Sequence, residues 1–270
     1  MGSPLRRVPV FVALSTAALV TLSGCGGSSS HGGSSTATPT ASGAQATDSS
    51  PPSNANLGGS FARATPLPAT VNCEYPAAGQ SAKPNTAPPT TAVSTRGTVA
   101  VTLATSAGDI GLSLDRALAP CTVNSFLSLS KQSYFDNTRC HRLVTSGIYL
   151  LQCGDPSGTG KGGPGYVFAN EYPTDQYPAS DAALTKSVNY PAGTLATANT
   201  GKPNTNGSQF FLVFHDSPLP PQYTVFGTID SPGLAAIEKV AAAGTEESGT
   251  APGDGEPKTP VSISAVRLAG

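Results

Sequence analysis

The sequence predicts a mainly β fold: a closed eight-stranded antiparallel β-barrel capped by two α-helices and preceded by a disordered N-terminal linker. Three observations carry that expectation. Short runs of alternating polar and apolar residues recur from residue 97 onward. Only two runs in the same region show helical spacing. Gly and Pro, 30 and 25 of the 270 residues, punctuate the intervals and crowd the chain upstream. Many short strands with few helices close readily into a barrel, which removes free sheet edges.

The elements follow in order. Thr98 to Thr105 alternates as a strand, Ala107-Gly108-Asp109 supplies a turn, and Ile110 to Asp115 alternates again, so the three form a β-hairpin. Ala119 to Leu129 is a helix with Pro120 in its first turn, where a missing N–H costs nothing. Val123, Phe126, Leu127 and Ser130 share its inward face. Short strands are expected near 139–144, 149–153, 194–198, 209–214 and 223–230. Gly233 to Ala243 is the second helix, with Leu234, Ile237, Val240 and Ala241 on one side. Val261 to Leu268 is the last alternating strand. The chain shows no internal repeat.

Upstream of residue 97 the composition changes. Arg6 and Arg7 precede an apolar run from Val8 to Val20, too short to span a bilayer. The run ends in Leu22-Ser23-Gly24-Cys25, which resembles the bacterial lipobox. That resemblance implies a signal peptide over 1–24 and a diacylglycerol on the Cys25 thiol. The chain is then exported and lipid-anchored to the outer face of the cell membrane. An ordinary secretory signal with a stray Cys is the alternative. Residues 25–70 hold almost no large apolar side chain and cannot offset their ordering entropy, so they read as a flexible linker. About 45 such residues reach ~35–40 Å. Residues 71–96 are a Pro-rich extension, which Cys73 could pin by a disulfide, and 97–270 form the globular domain.

Charge and cysteine content narrow the function classes. The chain carries 15 basic and 16 acidic residues, net −1, so no basic excess points to nucleic acid. With Cys25 lipidated, Cys73, Cys121, Cys140 and Cys153 remain. An even number in an exported chain favours disulfides, with three possible connectivities, and buried free thiols are the alternative. Three dispersed His and no clustered Cys pairs argue against a metal site, and no cofactor is expected. Gly158 to Gly163 fits G-x-G-x-x-G, but Pro164-Gly165 follow where a dinucleotide site needs a helix. Cys140 and His141 are adjacent on a strand and point to opposite faces, so they form no nucleophile–base pair.

The informative islands are Phe135-Asp136 with Cys140-His141-Arg142, then Gln152 with Gly154-Asp155-Pro156, then Gly158 to Tyr166. Tyr190 to Thr194 on to Asn199, Pro203-Asn204 to Phe211, and Tyr223 to Gly227 complete them. In order and spacing this set resembles the cyclophilins, the peptidyl-prolyl cis-trans isomerases, over about Gly97 to Leu268. The resemblance implies a reaction that uses no metal, cofactor or nucleophile. Arg142 aligns with the family's catalytic arginine. Gln152 lies where a glutamine holds that arginine and contacts the substrate carbonyl, and Phe211 where an aromatic floors the proline pocket. Leu150 and Leu219 would be its walls and Tyr149 its rim, with Ile148 as the alternative. Asn199 lies where a backbone grips the residue before proline. Ala198 and Gln209 line the adjoining groove, Tyr223 sits at the pocket edge, and His141 takes a structural place. Asn204 and Asn206 read as turn formers.

Departures from the family pattern have consequences. The segment between Arg142 and Gln152 is longer than the common form. Pro218 stands where many relatives carry Trp, which implies weakened cyclosporin binding with isomerase activity retained. Tyr223 replaces a frequent His, which implies little pH dependence near neutrality, and Thr200 replaces a small residue. The implied partners are proline-containing polypeptides, for a chain expected to be a monomer. The competing reading is a non-catalytic module or holdase that binds proline segments. Retention of Arg142 favours catalysis, because binding alone does not need it.

Overall fold

The computed structural model describes residues 61–249 and 251–269. Cys25, the expected signal peptide and most of the expected linker lie outside the described residues. Two short strands, β1 (Thr70–Val71) and β2 (Val93–Ser94), pair upstream of the main sheet. The expected hairpin is β3 (Thr98–Thr105) and β4 (Gly108–Asp115), paired from Thr98↔Asp115 to Thr105↔Gly108. Its alternation buries Val101, Leu103, Ile110, Leu112 and Leu114. Helix α1 (Pro120–Lys131) follows. Then come β5 (Thr138–Cys140), β6 (Arg142–Ser146), β7 (Ile148–Cys153), β8 (Val188–Tyr190), β9 (Thr194–Thr197), β10 (Phe210–Val213), β11 (Ser217–Leu219) and β12 (Val225–Ile229). Helix α2 (Ser231–Ala242), β13 (Asp254–Gly255) and β14 (Val261–Leu268) complete the described chain.

The main sheet is antiparallel, with strand order β13-β6-β7-β10-β9-β12-β4-β3-β14-β5. This corrects the expected closed eight-stranded barrel: the structure has one curled sheet of ten strands, and the ladder does not run unbroken around it. The physical reason lies at His141. Residues 138–140 pair with β14, whereas 142–146 pair with β7, so the chain changes partner across that one residue. A single strand cannot hold both ladders without a bend, and the hydrogen-bond pattern breaks there. The His141 N–H still donates to the Gln152 carbonyl at 3.0 Å. β13 adds a short edge beside β6, and β8 pairs with β11 in a separate two-stranded sheet.

The two helices cover the sheet as expected. Phe126 of α1 meets Phe135, Phe210 and Phe226 at centroid distances of 5.0, 5.5 and 5.6 Å. Each such ring contributes roughly 1.5–3 kcal/mol by burial. Helix α1 has no side-chain cap of its own. The carboxylate of Glu171 serves instead, accepting from the N–H groups of Cys121 (3.0 Å) and Thr122 (2.8 Å) and from the Thr122 hydroxyl (2.7 Å). Helix α2 is capped by Asp230, whose carboxylate accepts from the Gly233 N–H at 2.8 Å. Gly233 lies so close to Ile110 that a Cβ there would come within 2.8 Å of its side chain, so only Gly fits.

Two disulfides, Cys73–Cys121 and Cys140–Cys153, resolve the open connectivity. The first pins the Pro-rich extension to α1. The end of the segment expected to be a flexible linker, 61–70, is held on the domain. Arg63 pairs with Asp175 at 2.7 Å and donates to the Leu118 carbonyl at 2.6 Å, and Phe61 packs edge-on against Tyr172. Among the described residues no helix is long and apolar enough to cross a membrane.

Candidate active site

The register of three neighbouring strands assembles the centre of the site. Arg142 on β6 is the Cα partner of Gln152 on β7, and Gln152 is the partner of Phe211 on β10. Directly opposed residues of antiparallel strands project to one face. Arg142, Gln152 and Phe211 therefore form a row, with Leu150 two residues along β7 on the same side. The intervening residues Leu143, Leu151, Phe210 and Leu212 turn to the other face and are almost wholly buried in the core. The row thus places a cationic donor and a neutral amide, both half-buried, beside an aromatic ring that is itself 3% exposed, as is Leu150.

A chain of hydrogen bonds fixes the polar half. The Asp254 carboxylate accepts from Arg142 Nε and Nη2, both at 2.8 Å. Arg142 Nη1 donates to Gln152 Oε1 at 3.4 Å. Gln152 Nε2 donates to Gln209 Oε1 at 2.8 Å, and Gln209 Nε2 donates to the carbonyls of Gly160 and Gly162 at 3.0 and 2.9 Å. The hydrogen bonds that Arg142 donates to Asp254 favour the charged guanidinium and push its pKa further up. Of five guanidinium N–H groups, three are engaged, which leaves two for a ligand.

The Gly158–Gly163 loop is organised from below by Asp155, which has no exposure. Its carboxylate accepts from the Ser157, Thr159 and Gly162 N–H groups and from the Ser157 hydroxyl. Burial works against the charge, but the bonds from Ser157 and Gly162 outweigh it and hold the carboxyl below the usual carboxylate range. The glycines serve a carbonyl cradle for Gln209 rather than a phosphate. His141 is buried beside this loop and neither ring nitrogen has a partner, so burial pushes its pKa down and keeps it neutral.

The remaining expected residues fall in three places. Tyr223 packs edge-on against Phe211 at 5.5 Å, and Leu219 is buried at the end of β11. Ala198, Asn199 and Gln209 line a cavity with Gln152. The Asn199 side chain is committed to its own loop, donating to the Gln222 carbonyl and accepting from the Gly201 N–H, both at 2.9 Å. These bonds hold the side chain on its own loop, so the resemblance's backbone contact is the one that fits. Tyr149 departs from its expected place. Strand alternation turns it away from Leu150 and Gln152, and it packs on Phe214 and His215 at 5.9 and 5.4 Å. Ile148 has the alternation of the row. Pro218 is exposed between buried Ser217 and Leu219.

Sequence reasoning missed Asp254. It sits on a strand of two residues, too short to carry a periodic signal, and Arg142 is 112 positions away. Its one trace is a carboxylate in a Gly-flanked turn, which marks nothing by itself.

Known proteins resemble this chain in sequence and in fold. The family model for cyclophilin type peptidyl-prolyl cis-trans isomerase/CLD matches residues 100–268. A Mycobacterium leprae protein named "probable peptidyl-prolyl cis-trans isomerase B" is 57% identical over 201 residues, covering 73% of this chain and 67% of that one. The protein of the same name from Mycobacterium tuberculosis is 55% identical over 201 residues, with 73% and 64% covered. The chain thus spans about two thirds of the length of these relatives. A crystal structure of a cyclophilin type isomerase from Cryptosporidium parvum aligns with TM-score 0.50 and 28% identity, over 64% of this chain and 99% of that one.

Proposed function

The chain belongs to the cyclophilin-type peptidyl-prolyl cis-trans isomerases, with residues 100–268 as the isomerase domain, and on that premise we propose that it accelerates X-Pro isomerisation in exported proteins at the membrane surface, with Arg142 as the assisting donor. The observation that carries the reading is the Arg142–Gln152–Phe211 row.

Resonance gives the X-Pro amide a barrier of ~18–20 kcal/mol, while cis and trans differ by only about 0.5–1 kcal/mol. An accelerator must therefore bind the twisted bond better than either planar form. On twisting, the prolyl nitrogen becomes pyramidal and regains a lone pair. Phe211 offers an apolar floor for the pyrrolidine ring, and Arg142 stands in the same row with two N–H groups to spare. Asp254 and Gln152 hold the guanidinium, so little reorganisation is needed as the bond twists. Gln152 can steady the adjoining carbonyl. One charge-assisted hydrogen bond is worth ~1.5–3 kcal/mol, or ~10–100-fold in rate. No proton is transferred and no covalent bond is made.

Two disulfides among the described residues support export, since such bonds persist in oxidising compartments. The lipid anchor on Cys25 is part of the same proposal, as is a proline-containing polypeptide substrate. The test is cis-to-trans conversion of a short Ala-Pro peptide, followed by NMR exchange without a coupled protease, for wild type and Arg142→Ala. The expected result is acceleration that falls ~10–100-fold in the variant while peptide binding is nearly kept. A folded wild type that binds the peptide without turning it over would establish the binding-module reading instead.

A further inference from the structure

The segment 76–85 lies outside the matched family residues, yet it forms one wall of the cavity that adjoins the row. It runs alongside the 163–167 loop as an added antiparallel edge. The Ala78 and Ala82 N–H groups donate to the Gly165 and Gly163 carbonyls at 2.8 and 2.9 Å, and the Val167 N–H donates to the Pro76 carbonyl at 3.0 Å. Asn85 Nδ2 reaches the Pro164 carbonyl at 3.0 Å. Tyr75 packs edge-on against Tyr166 and Phe168 at 5.4 and 5.8 Å, and its hydroxyl donates to the Cys121 carbonyl at 2.8 Å. Lys83 ties the far end to the carbonyls of Ser133 and Asp136.

The cavity so bounded measures about 560 Å³, within the range of ligand sites. Ala78, Gly79 and Gln80 are exposed and form one side; Ala198, Asn199 and Thr200 face them, and Gln152 and Gln209 close the end at the row. At Gly79, with φ +75°, a Cβ would meet nothing within 4 Å, so that wall opens on free space. Among the lining residues Lys161 alone carries a charge at neutral pH. We propose that segment 76–85 adds an outer wall to the groove beside the proline site, and that this wall helps select the arm of the polypeptide that leaves on the Asn199 side, with uncharged or acidic side chains favoured there over basic ones. The proposal rests on the isomerase reading for the proline site, and adds a specificity determinant from chain outside the family domain. Continuity of the groove with Gln152, Asn199 and Gln209 names the occupant, since a peptide seated on the row must leave through one of its ends.

The experiment compares three peptides on the full chain by NMR exchange: acetyl-Ala-Pro-Phe-amide, a longer peptide with Glu-Ser-Ala ahead of the Ala-Pro, and its counterpart with Lys for Glu. Wild type is compared with Ala78→Trp and Gln80→Trp, which place bulk on exposed positions and keep the backbone bonds. The expected result is that each variant lowers the ratio of kcat/KM for the long acidic peptide to that for the short one by about fivefold. Wild type should prefer the Glu peptide over the Lys peptide by a similar factor. An unchanged ratio in two folded variants overturns the wall's part in selection and leaves the isomerase reading intact. If wild type turns over neither peptide, that reading fails. The wall is then judged by amide shifts at residues 78–80 on adding the long peptide: shifts uphold it, and their absence overturns it.

Discussion

At the scale of single residues, the role proposed for Arg142 depends on its orientation. Asp254 grips Nε and Nη2 in a two-pronged pair, and a fork held at two points presents its remaining N–H groups in one direction. Asp254→Asn should therefore lower kcat/KM about tenfold by a fall in kcat, with KM for a short Ala-Pro peptide nearly unchanged. A structural role alone would shift the unfolding midpoint and leave kcat in place, so both are measured, and Asp254→Glu should recover part of the rate. That Arg142, Gln152 and Phe211 fall in one row follows from strand pairing, and the motifs around them pointed to all three in the sequence. Asp254 was not legible, because its partner comes from the far end of the chain and pairing, not periodicity, brings them together. Tyr149 lies elsewhere than expected for a different reason: its aromatic character drew it to the rim, whereas alternation along its own strand puts it on the face opposite Gln152.

Among the elements, the hairpin β3–β4, the strand β14 and both helices were readable from alternation and helical spacing, within a few residues at their ends. The pair β8–β11 and the two-residue strands were not, since so few residues hold no period. The cap of α1 was equally hidden. Glu171 comes from a loop 50 positions beyond Cys121, and burial at the helix N-terminus raises its pKa from 4.5 to about 7, despite the hydrogen bonds from Thr122 and Cys121 and the nearby Arg63. Between pH 4.5 and 7 the folded chain then holds a proton that the unfolded chain has released. Stability must fall as pH rises through that window and level off above it, by up to about 3 kcal/mol. Urea unfolding at stepped pH should show this slope in wild type, and Glu171→Gln should flatten it. A slope unchanged in the variant would assign the pH dependence to other groups.

Over the whole molecule, the expected barrel and the observed curled sheet differ in how the ends meet. The strand path through His141 carries the chain from β14 to β7, and the Cys140–Cys153 bond sits at that crossing beside Arg142 and Gln152. Composition and alternation foretold a mainly β fold with two helices; they hold no information on where one strand must change partners. The proposed anchor also belongs to this scale. Cys25→Ala should move the full chain from the membrane fraction to the soluble one, read by fractionation, with isomerase rate unchanged; a variant that stays with the membrane would remove the lipid from the proposal. The Cys73–Cys121 bond has a mechanical consequence. A pull on the chain upstream of residue 61 meets Arg63 and the β1 pairing first, and then a covalent link to α1. Tension ends at that link, so the wall formed by residues 76–85 carries no load and the groove keeps its shape while the domain is tugged.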